Sequence, residues 1–352
     1  MSIEAASTPR IRVARVRTAA LRTGIGLAVG AVLVVTFLNM VNVSAVMARV
    51  GHLALGFALL CSLAFLGAYV VRALRWRCLL RPDEVSVPRV IAIYQVATFV
   101  NWLLPIRAGE LVKSLLLRRS NGIPVSRSLA TVSMDKAMDL LPALALLALV
   151  PFVGLHLGRP LWVLLLSALA AVTVILLVLG LATWRRDAAV AVLTRPLGKV
   201  LPRSARQRVE PAIALFVDTL LALVRQPRLL SVAAMYTVVA VALDALFCLL
   251  AFRAVGAALP LATVIYGYTF FNLAFILPTP PGQVGSNELV GLLIFSGLFG
   301  VNRSDVGAMF LFSHPWTAIL MATSGLVCLS VMGLSLRTAL RLAGDDGKRD
   351  VV

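Results

Sequence analysis

The sequence predicts an all-α, polytopic integral membrane protein. Three observations predict it. Of the 352 residues, 60% are hydrophobic and only 14% are charged. Apolar runs of about 20 residues, enough to cross a bilayer as helix, recur along the chain. The basic residues, which bring the net charge to +18, flank those runs and do not gather on one soluble module. That distribution excludes a nucleic-acid footprint, which would need such a module.

Taken in order, the first apolar run follows Arg10–Arg22 and covers 25–41. It is too long for a signal-peptide core and lacks an A-x-A cleavage site, so it reads as an uncleaved span. Six segments read as full spans, near 23–42, 53–72, 128–153, 160–183, 229–252 and 307–335. Two more, 90–118 and 262–300, are interrupted. The basic stretch 185–228 carries four prolines. Over 206–224 its apolar residues recur at helical spacing, which predicts a cytoplasmic helix lying on anionic headgroups. Cys61, Cys78, Cys248 and Cys328 have no metal spacing and read as small apolar side chains.

The interrupted segments carry related motifs. The first reads Asn101-Trp-Leu-Leu-Pro105-Ile-Arg107-Ala-Gly109-Glu110-Leu-Val112. The second begins at Asn272, reaches Leu-Pro278, passes Gly282 and Gly285, and ends Asn287-Glu288-Leu-Val290. Each runs from Asn through Leu-Pro and a glycine-bearing break to Glu-Leu-Val. A glutamate at membrane depth is costly and needs a reason. Broken helices in matching halves of a membrane chain point to a substrate site.

Charge decides how these segments cross. If both are re-entrant hairpins, 27 of the 33 Lys and Arg fall on one face, and Arg49, Arg159, Arg253 and Arg303 lie opposite. If 90–118 crosses fully, the basic patches flanking it lie on opposite faces. Val90 to Leu104 is also short, about 22 Å as helix against a core of roughly 30 Å. The re-entrant reading is preferred, with eight full spans as the alternative. It makes 1–352 a single membrane domain of two inverted repeats, 1–155 and 160–336, the second containing the amphipathic segment 185–228. Both termini are then cytoplasmic, in the cell membrane.

The half-helix after Pro105 directs free N–H groups into the break, which favours an anion, and Arg107 offers a fork suited to phosphate. Glu110 can orient Arg107 or take a proton. Ser286 or Asn287 can cap the helix carrying Glu288, and Gly282 and Gly285 allow a tight turn. The expected substrate-binding set is Asn101, Arg107, Gly109, Glu110, Asn272, Pro278, Gly282, Gly285, Asn287 and Glu288. Asp135, Lys136 and Asp139 open a span, and with Asp244 they form a candidate proton or headgroup relay. Arg72, Arg75 and Trp76 read as interface anchors, and His314-Pro315 as a kink. No nucleotide-binding, zinc-protease or serine-hydrolase signature is present, and no cofactor or metal is expected.

Leu104 to Glu110, the Asp-Lys-x-x-Asp element at 135–139 and Pro281 to Glu288 together resemble the lysylphosphatidylglycerol synthase transmembrane, or flippase-like, family. The resemblance covers nearly the whole chain. It implies re-entrant elements and the movement of lipids or lipid-linked sugars between leaflets. Bifunctional members carry a soluble synthase domain, for which this chain has no matching segment. The expected partners are membrane lipids, either anionic phospholipid or polyprenyl-linked, with a separate synthase or a second copy of the chain also compatible. A competing expectation is a membrane enzyme acting on a polyprenyl-phosphate or phospholipid headgroup, with Glu110 and Glu288 as acid and base.

Overall fold

The computed structural model describes residues 9–104, 108–149, 203–274 and 279–343, with isolated positions between 150 and 202. Arg107 and Pro278, the predicted span 160–183 and most of 184–202 lie outside the described residues. Those described form helices and no strands.

In chain order they are α1 (Pro9–Met40), α2 (Val43–Gly51), α3 (Leu55–Leu79), α4 (Val87–Leu103), α5 (Gly109–Asn121) and α6 (Val125–Leu149). They continue with α7 (Arg203–Val224), α8 (Pro227–Ala254), α9 (Leu261–Ala274), α10 (Ser286–Gly291), α11 (Arg303–Val331) and α12 (Leu336–Ala343). A 3-10 turn, Pro281–Gln283, precedes α10, and a π-helical turn, Leu292–Ser296, continues it. By length and composition α3, α8 and α11 can each cross a bilayer. So can Gly26–Met40 taken with α2, from which it bends by 93°. The amphipathic prediction at 206–224 corresponds to α7. The helix carrying Asp135 begins at Val125, so its charges sit several turns inside the helix, not at its opening.

The centre is the antiparallel pair α3 and α8. The Ala54 N–H donates to the Ala254 carbonyl (2.9 Å) at one end, and Leu79 packs with Leu229 and Ala233 at the other. Small residues form the seam. On α3 these are Ala58, Cys61, Ala64 and Ala68; on α8, Ala233, Thr237, Ala240, Cys248 and Ala251. They recur every three or four residues, with one gap of eight between Ala240 and Cys248, which places them on one stripe. A stripe of small side chains lets helix backbones approach closely in lipid, where dispersion and not water exclusion drives packing.

The remaining contacts come in pairs. α3 packs on α4 and α6; α8 packs on α9 and α11. α5 touches α4 and α6; α10 touches α9 and α11. α4 lies on α11, and α9 on α6. α2 meets α11, and α7 meets α6. Two ion pairs tie the loops. Asp83, before α4, meets Arg127 at the start of α6 (3.1 Å), and Arg49 of α2 meets Asp305 at the start of α11 (2.6 Å).

Candidate functional site

Each broken segment ends in a short helix that opens on a glycine and carries a glutamate in its first turn. In the first, Gly109 N–H donates to Asn101 Oδ1 (2.6 Å), so the chain's own asparagine occupies one donor at the start of α5. A β-carbon on Gly109 would stand 2.1 Å from the Ala97 carbonyl oxygen, which is why this position excludes any side chain. In the second, Gly282 (φ 65°), Gln283 (φ 58°) and Gly285 (φ 77°) all adopt left-handed backbone. For Gln283 that conformation costs about 1–2 kcal/mol. The predicted side-chain cap of α10 is absent. Gly285 holds the cap position and Ser286 Oγ turns back to donate to the Gln283 carbonyl (2.8 Å).

Between the breaks lies a cavity of 580 Å³. One wall is charged. Behind it Arg75, entirely buried, donates to Asp135 Oδ1 (2.8 Å), the Asp135 carbonyl (3.0 Å), Asp139 Oδ1 (2.8 Å) and Thr237 Oγ1 (3.0 Å). Arg72 grips Asp244 through both terminal nitrogens, Nη1 at 3.2 Å from Oδ1, and lies 3.5 Å from Asp139. Lys113 sits 3.2 Å from Glu110 and 3.6 Å from Asp135, with its ammonium 3.7 Å from the centre of the Tyr94 ring. Lys136 reaches Glu110 at 3.1 Å and Asp139 at 3.8 Å. Four cations thus face four carboxylates, so a net-neutral cluster stands in the middle of the helices. Lys136 is its most open cation, with 46% of its side chain exposed.

The facing wall is uncharged at its surface. Asn272, Thr279, Gln283, Asn287 and Thr317 line it, with His314 among them. Behind it, His314 Nδ1 lies 2.5 Å from Glu288 Oε1, and Nε2 lies 2.8 Å from the Gly282 carbonyl. Tyr69, Tyr94, Trp102 and Tyr268 add aromatic rings to the lining.

Of the predicted residues, Asn101, Glu110, Lys136, Asp139, Asp244, Asn272 and Asn287 share this cavity. Asp135 and Glu288 are buried behind it. Gly109, Gly282 and Gly285 shape the backbone, and Arg107 and Pro278 lie outside the described residues. Two expectations are corrected. Arg72 and Arg75 are not interface anchors, because α3 continues to Leu79 and turns both into the protein, where carboxylates neutralise them. His314 is not merely part of a kink, because both ring nitrogens are bonded. Lys113, Arg72, Arg75 and His314 are the side chains of the candidate site that sequence reasoning did not place there. The spacing of Arg72 and Arg75, on one face of an apolar helix that also bears small residues, was the available signal.

The two glutamate bonds occupy one register. Glu288 and His314 are 26 residues apart, as are Glu110 and Lys136. Between them Gly122 and Gly300, both left-handed (φ 69° and 65°), match, as do Val125 and Arg303, which start α6 and α11.

Comparison with known proteins identifies the family. The family model for the transmembrane region of lysylphosphatidylglycerol synthase matches residues 24–325. The chain belongs to that family. It is an integral membrane protein with transmembrane helices. A relative, UPF0104 membrane protein PH1989 of Pyrococcus horikoshii, is 24% identical over 265 residues, 70% of this chain and 78% of that protein. No solved structure matches.

Proposed function

We propose that this family member binds an anionic lipid or lipid-linked intermediate in the central cavity and passes it between leaflets of the cell membrane. The observation that carries this reading is the cavity itself, lined by both broken segments and bearing a charged wall with a half-exposed Lys136. A phosphate entering there would meet Lys136 and Arg72. Both are already balanced by carboxylates, so a headgroup would exchange ion partners without uncovering a bare charge. The sequence between α4 and α5 also contains Arg107, whose planar fork suits a phosphate.

The geometry needed for alternating access has support of its own. The Asp83–Arg127 pair joins the loop before α4 to the start of α6, so the segment between them enters and leaves at one end. Arg49–Asp305 draws α2 to the start of α11 at the other end, where Ala54 also meets Ala254. The first hairpin therefore opens toward the end rich in basic residues and the second toward the other. The paired contacts (α3 with α4 as α8 with α9, α5 with α6 as α10 with α11, α4 with α11 as α6 with α9) are what an inverted repeat produces. The basic end is cytoplasmic on this reading, with both termini there.

The test begins with native mass spectrometry of lipids that co-purify with the protein. The lipid found is then followed between leaflets in proteoliposomes. Lys136→Ala should slow exchange about tenfold or more while the protein still inserts. Unchanged exchange in that variant removes the cavity from the route.

A further inference from the structure

His314 joins three elements. It stands on α11, bonds Glu288 on α10 through Nδ1, and bonds the Gly282 carbonyl of the broken turn through Nε2. A carbonyl oxygen only accepts, so Nε2 must carry a proton. At 2.5 Å, Nδ1 and Oε1 must share a second one, because two lone pairs would otherwise face each other. The observed arrangement therefore needs two protons on the pair.

Removing one leaves a single proton for two bonds. The bond to Glu288 joins an imidazole N–H to a carboxylate and is charge-assisted; the bond to Gly282 reaches a neutral carbonyl. The remaining proton stays on Nδ1. The Nε2 lone pair then faces the Gly282 oxygen, and the turn is released. Adding a third proton, on Glu288, leaves both imidazole N–H groups donating and the turn held.

From these contacts we infer that His314 and Glu288 form a proton-binding site whose loading decides whether the Gly282 turn is pinned to α11. The turn carries left-handed Gln283 and abuts Trp102, whose ring would stand 3.5 Å from a β-carbon on Gly282. It borders the cavity through Thr279 and Gln283, so its release changes the cavity wall. Among the elements packed on α11, α10 brings Glu288, α2 brings Arg49, and α4 brings Arg89. α3 brings Arg72, Arg75 and Arg77, and α8 brings Arg228, Asp244 and Arg253. Of these, Glu288 alone is bonded to the imidazole among the described residues. Among the described residues the first broken segment has no equivalent, because its glutamate is paired with lysines.

This deepens the transport reading by assigning the ion coupled to it, and rests on that reading only for the use made of the proton. Protein with 15N-labelled histidine is placed in lipid nanodiscs, and the His314 signals are assigned by their loss in His314→Gln. Between pH 6 and pH 9 one ring nitrogen should lose its proton. In parallel, Thr279→Cys is added to a chain whose native cysteines are replaced, and its labelling rate is divided by that of Asn121→Cys to remove thiol ionisation. The ratio should rise about fivefold with the same midpoint, and stay flat when His314→Gln is added. Ring nitrogens unchanged over this range, or a labelling step that survives His314→Gln, would overturn the proposal. Neither readout requires transport. Loss of lipid exchange with the step intact counts against the transport reading alone, and exchange without the step counts against the proton site alone.

Discussion

The two broken segments place a glutamate at the same register and give it different company. Glu110 is held by Lys113 and Lys136, with Asn101 beside it, and its neighbours extend into a network of eight charges. Among the described residues Glu288 has one ionisable partner, His314, and its second oxygen has no hydrogen-bond partner. Lysine keeps its proton across physiological pH, whereas imidazole exchanges it there. On this reading one broken segment is wired as a fixed support and the other as a site with two states. At the same register, the two segments differ in the choice of base.

The sharpest way to break this contrast is to remove a member of the buried network. Asp135→Asn leaves the guanidinium of Arg75 without its main anion in a fully buried place, which costs about 3–5 kcal/mol. The expected result is a large drop in the thermal midpoint of the detergent-purified protein. Glu288→Gln, which breaks the other pair, should lower it much less, because an amide can still bond to His314. Equal losses would erase the distinction between support and switch.

The glycines give a second, finer test. Gly122→Ala and Gly300→Ala should each cost about 1 kcal/mol, since both are left-handed and a β-carbon meets nothing within 4 Å. Markedly unequal losses in thermal unfolding would mean that the two turns are not equivalent. The mildest change is the most informative about chemistry. Lys136→His puts a titratable base opposite Glu110 at a half-exposed position, so the fold should survive. Lipid exchange measured against pH should then gain a second step. A profile identical to that of the unaltered protein would show that the partner of Glu110 plays no part in setting it.

Much of this was legible in the residues. Apolar run length gave the membrane class, and the glycine and proline breaks marked the segments that meet at the cavity. Helical spacing over 206–224 anticipated α7. What was hidden depends on distance along the chain. Arg75 and Asp135 lie 60 residues apart, and Arg72 and Asp244 lie 172 apart, so no local pattern announces either bond. Charged residues near the end of an apolar run look like anchors until the helix is seen to continue past them. His314 was harder still, because one of its two partners is a main-chain carbonyl, which any residue could supply.

The first helix poses a question of timing. Over residues 26–34, α1 offers Gly26 and Gly30 to Pro280, Pro281 and Val284, while Gly285 lies against the Gly30 carbonyl and Leu33. Leu27, Val29, Val32 and Val35 look outward. Translation runs from the N-terminus, so α1 enters the bilayer long before its receiving surface exists. Until the second broken segment has been threaded, that glycine groove faces lipid. A helix made this early is therefore among the last to dock, and a ribosome stalled before Pro280 would leave it unattached.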